Sequence, residues 1–110
     1  MSFVNLTPHT IAIIIVEGAE PLLIAPSGVV ARATESSEPS GKHGEVALST
    51  VRYGSVEGLP APVDGVVLIV SALVRMACPE RRDLASPGNL VRGPTGQPIG
   101  CRGLVVNPPL

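Results

Sequence analysis

The chain has almost no aromatic residues. Phe3 and Tyr53 are the only two among 110 positions, and tryptophan is absent. A core must therefore be built from Val, Leu, Ile and Ala, which fill space without large anchors. Charge is also scarce, at 15% against 45% hydrophobic residues. That ratio excludes a disordered body. It also leaves little polar surface to spread, so burial of one face in a homo-oligomer is expected. Cysteine is limited to Cys78 and Cys101, too few for a disulfide framework. Lysine occurs once, as Lys42, and the other seven bases are Arg. No basic run is interleaved with aromatics, so nucleic acid is not an expected partner. No apolar run approaches the ~20 residues of a membrane helix, so neither is a membrane. No basic segment precedes the apolar run Ile11–Val16, and Asn5–Thr10 is polar and Pro-bearing. A signal peptide is therefore not expected. The expected location is the cytoplasm, with both thiols reduced.

Signatures of catalysis are missing as well. Gly93, Gly96, Gly100 and Gly103 make the C-terminal segment Gly-rich. No Lys-Ser/Thr follows them as in a phosphate loop, and the dinucleotide spacing is absent, so they read as hairpin and bulge glycines. Two His and two Cys are scattered singly at 9, 43, 78 and 101. They lack the paired spacing of a zinc site, so neither metal nor cofactor is expected. Ser71 sits at a strand-to-helix junction without the flanking glycines of a nucleophile elbow, and reads as a helix cap. No catalytic residue is assigned, and the expectation is a non-enzymatic protein.

What is present is a series of short β-branched runs separated by turn residues. The length fits one domain over residues 1–110. His9–Val16 and Pro21–Ala25 read as an antiparallel hairpin, and Gly28–Thr34 as a third strand. Glu35–Gly44 is hydrophilic and rich in Ser, Gly and Pro, and reads as a mobile loop. Glu45–Tyr53 alternates as a strand does. Val66–Val70 is apolar throughout, as a strand buried on both faces would be. Ala72–Cys78 reads as a helix capped by Ser71 and stopped at Pro79, with Leu73, Val74 and Ala77 on one face. Glu80–Gly88 reads as a charged loop, Asn89–Arg92 and Pro98–Val106 as two more strands, and Asn107–Leu110 as a loose tail. The fold expected is mainly β: a small antiparallel barrel or sandwich of about six or seven short strands with one short α-helix at 72–78.

Charge is unevenly placed. Residues 1–57 hold six acids and three bases, a balance of −3, while 58–110 hold three acids and five bases, a balance of +2. The planar guanidinium fork suits phosphates and carboxylates. The first turn of the 72–78 helix offers backbone N–H groups. The candidate ligand-binding set is therefore Ser71, Arg75, Arg81, Arg82, Asp83, Arg92 and Arg102, with His9 at the start of a strand. The alternative is that Arg81 and Arg82 pair with Glu80, Asp83 or a neighbouring subunit and bind nothing.

The segments NLTPHTI, SGVVAR, YGSVEGLPAPVDGVVLIVSALV, RRDLASPG and VRGPTGQPIGCRGL resemble a family of small uncharacterised proteins of bacteriophages, prophages and actinobacteria. The resemblance covers nearly the whole chain except the stretch around Glu35–Gly44, and carries no activity with it. It implies a mobile-element setting and, for a phage-encoded chain, the cytoplasm of the host. The expected function is sequestration of a small anionic or nucleotide-like ligand, of a counter-defence type. The alternative is a structural or protein-interaction module, such as a virion accessory protein or an inhibitor of a host protein.

Overall fold

The computed structural model describes residues 2–108. They form β1 (Ser2–Asn5), β2 (Ile11–Ile13), β3 (Leu22–Ile24), β4 (Arg32–His43), β5 (Val46–Glu57), β6 (Val66–Ile69), α1 (Ala72–Ala77), β7 (Leu84–Arg92) and β8 (Pro98–Val106). Six strands make one sheet in the order β1-β6-β7-β8-β2-β3, and β4 and β5 pair only with each other. The two ends of the six-stranded sheet approach one another. Ser27, just past β3, donates its N–H to the Asn5 carbonyl of β1 at 2.9 Å. The chain is thus mainly β, with a nearly closed, barrel-like sheet and one short helix.

Pairing within that sheet is mixed rather than purely antiparallel. Among the described residues, β1–β6, β6–β7 and β8–β2 are parallel, while β7–β8 and β2–β3 are antiparallel. Parallel neighbours need a crossover. Between β6 and β7 the crossover is α1 with its following loop, so residues 66–92 form a strand–helix–strand unit. β6 lies between two strands, and Leu68, Ile69 and Val70 are buried, as its uniformly apolar sequence requires. Leu68, Val70, Val74 and Leu84 make the main core with Leu6 and Ala31.

Helix α1 begins as expected. Ser71 is extended (φ −67°, ψ 159°), and its hydroxyl accepts the Val74 N–H at 3.3 Å. It ends at Ala77, with Cys78 as the C-cap ahead of Pro79. Of the expected apolar face only Val74 is buried; Leu73 is 46% exposed, and Ala77 is exposed too. Six residues are too few for a second buried turn, so Val74 is the one helix side chain buried against the core.

Two expected loops are strands. Leu84–Gly88 belongs to β7, not to a charged loop, and the chain runs straight through Ser86-Pro87-Gly88. β6 pairs with β7 only at Leu84 and Ala85. From Ser86 onward that edge of β7 is unpaired, and a strand edge is where proline is tolerated. Residues 35–43 likewise lie in β4, not in a loop. A register shift between Pro39 and Lys42 absorbs the Pro-Ser-Gly stretch. The hairpin closes at the His43–Val46 pair through Gly44, whose φ of +62° suits a two-residue turn. The loose tail is also corrected at Asn107, which is only 6% exposed; Pro109 and Leu110 lie outside the described residues.

Candidate functional site

Two buried asparagines fix the loops around the sheet. Asn5 is 1% exposed. Its Nδ2 donates to the carbonyls of His9 at 2.8 Å and Ile24 at 2.9 Å, and its Oδ1 accepts the Thr7 N–H at 2.9 Å. One side chain thereby ties β1, the Thr7–His9 turn and β3 together, which is how the barrel is held nearly shut. Asn107 does the same at the other end of the chain. Its Nδ2 shares its hydrogens among the carbonyls of Arg75, Cys78 and Arg81, at 2.9–3.1 Å. Two of these carbonyls also accept a backbone N–H, Arg75 from Cys78 at 3.3 Å and Cys78 from Arg81 at 3.0 Å, so Asn107 adds a second bond to the turn that ends the helix.

Most candidate arginines are engaged within the chain. Arg75 donates Nε to Ser86 Oγ at 2.9 Å and a terminal nitrogen to Asn107 Oδ1 at 3.2 Å. Arg81 forks onto both Asp83 oxygens at 2.9 and 2.8 Å, and also donates to the Pro60 carbonyl. This fork holds the Asp83 carboxyl below the usual carboxylate range and raises the Arg81 guanidinium. Arg92 donates to the Gly96 carbonyl of the β7–β8 turn, and Arg102 pairs with Glu17. Among the described residues, Arg82 alone of the five has neither an ion pair nor a side-chain hydrogen bond. Burial, and after it the Glu80 charge, pushes the Cys78 thiol up, so it stays protonated at neutral pH.

The candidate residues do not converge. Arg81, Arg82 and Asp83 share a cleft of about 490 Å³ with Asp64, Val66 and Glu80. Its charged groups are three acids and two bases, a poor cradle for an anion. Ser71 lines a separate hollow beside Pro8 and Val30. Arg75 lies against β7 and the C-terminal segment. His9 opens a second cleft, of about 410 Å³, walled by Ile11, Leu90, Pro98 and Ile99 with Cys101 behind them. β8 approaches β2 closely there: a Cβ on Gly100 would sit 3.2 Å from the Ala12 carbonyl oxygen. Among the described residues, no three His, Cys, Asp or Glu side chains gather to hold a metal ion. No helix there is long and apolar enough to cross a membrane.

No family model matches the chain, and no curated protein or solved structure matches it either.

Three features went unassigned in the sequence. Asn5 carried a readable signal, because Asn-x-Thr-Pro is turn chemistry in which the Asn side chain bonds backbone two residues on. The walls of the His9 cleft come from β2, β7 and β8, and nothing local announces their meeting. Val46, Leu48 and Val51 lie exposed on β5; they belong to a recognised strand, but its partner, β4, did not look like one.

Proposed function

We propose that this chain is a non-enzymatic interaction module acting in the cytoplasm, in the phage-type setting that the sequence resemblance implies. One contrast carries the reading. Arg75, Arg81, Arg92 and Arg102 are engaged inside the chain, while Leu23, Val46 and Ile99 are each more than half exposed. Four of the five arginines that would recognise a small anion are occupied, and groups that would recognise a protein surface are open.

A second reading, capture of a small anionic or nucleotide-like ligand, is favoured by the His9 cleft. Its volume of about 410 Å³ is that of a small-molecule site, with largely apolar walls and the polar side chains of His9 and Thr10. Thermal unfolding with a panel of nucleotides and sugar phosphates separates the two. The interaction module gives no change in Tm. A rise of several degrees that His9→Ala removes overturns it in favour of the small ligand.

A further inference from the structure

The β4–β5 hairpin leaves the six-stranded sheet as a ribbon of two twelve-residue strands. Only its foot is anchored. Ala33 and Val56 pack on the core, while the Thr34 Oγ1 bond to the Ser55 carbonyl at 3.0 Å only joins the two strands of the ribbon to each other. Gly58, at φ +78°, sits where a Cβ would be 2.5 Å from the Val30 carbonyl oxygen. Beyond the foot, residues 34–43 and 46–52 are exposed. A two-stranded ribbon with neither face covered is at best marginally stable in water. This one also exposes apolar side chains on both faces: Val46 and Leu48 at 64% and 44%, and Val51 at 45%.

The surface of the whole chain says how much cover is missing. A folded monomer of this size exposes about 5,700 Å², whereas this chain exposes 7488 Å². The excess, roughly 1,800 Å² per chain, is more than the ~800 Å² per partner of a standard interface and is of the size of a permanent one. The radius of gyration agrees: 16.7 Å, against about 13 Å for a compact domain of this length. Charge permits a second copy as the partner. Between residues 34 and 55 the hairpin carries Glu35, Glu38 and Glu45 against Lys42 and Arg52. Mixed signs near neutrality let two copies of one surface meet without strong repulsion, as a two-fold contact requires.

We infer that the β4–β5 hairpin is a self-association arm, covered by a second copy of this chain in a two-fold dimer. This deepens the interaction reading and rests on it. Sedimentation velocity on the full chain, from about 1 to 100 µM, tests it. The expected result is a dimer whose dissociation constant rises about thirtyfold or more in Val46→Lys/Leu48→Lys. Thr50→Arg, which adds a cation on the same β5 face without removing an apolar group, raises it about tenfold. Ile15→Lys, at an exposed position between β2 and β3, leaves it unchanged. Far-UV circular dichroism shows whether each variant is folded, and if the double variant is not, Thr50→Arg decides. A wild-type chain that stays monomeric at about 100 µM, or a dimer indifferent to the arm substitutions, overturns the inference. A monomer with no nucleotide-induced Tm shift removes the arm and leaves the interaction module. A dimer that also shows the His9-dependent shift removes the module and leaves the arm.

Discussion

In the barrel-like body, Leu68, Ile69, Val70, Leu84 and Ala85 are at most 4% exposed, whereas Val46, Leu48 and Val51 of the arm are 44–64% exposed. The same small aliphatic side chains thus reach opposite states within one chain. Polar groups divide the same way. Asn5, Ser86 and Asn107 are buried in the body, and among the described residues no buried side-chain nitrogen or oxygen lacks a hydrogen-bond partner. The Ser, Thr and Glu side chains of the arm face water. The body buries a core and still leaves side chains such as Leu23 and Ile99 open, whereas the arm beyond its foot buries none of its described side chains.

Substitutions in the body should be costly and those in the arm cheap. The largest effect is expected from Leu84→Ala or Ile69→Ala, each removing a fully buried side chain between sheet and core. A loss of ~2–5 kcal/mol in denaturant unfolding is expected. Asn107→Ala comes next, at about 1–3 kcal/mol, because the carbonyls of Arg75, Cys78 and Arg81 lose a buried donor. Asp83→Asn should cost about 1–2 kcal/mol, since its carboxylate is 14% exposed and held by the Arg81 fork. That cost depends on pH. Asp83 has a depressed folded pKa, so its stabilisation is complete above the unfolded value near 4 and disappears as pH falls through the folded one. Unfolding curves of wild type and Asp83→Asn should therefore converge in acid and separate at neutral pH. The smallest effect is expected for Ser37→Ala in β4, within ~0.5 kcal/mol. A large loss there would mean that the arm holds the body together, and would erase the contrast.

Legibility in the sequence followed burial. β6 was readable because a strand between two others is apolar at every position, and Ser71 because capping is local chemistry. The parallel pairings were not readable, because they depend on where the chain returns after α1. β4 was hidden for a different reason. A strand exposed on both faces has no apolar alternation, and Glu35–Gly44 carries the Ser, Gly and Pro content of a loop. The arginines were readable as a chemical type but not in their engagement. Asn107, which holds Arg75 in place, lies 32 residues away from it.

Amide hydrogen exchange at two protein concentrations, about 1 and 100 µM, tests the arm's role most directly. Amides of residues 34–43 and 46–55 are expected to exchange more slowly at the higher concentration, while those of β6 and β7 keep one rate. Arm amides that exchange equally fast at both concentrations, in a chain that remains monomeric, would contradict it.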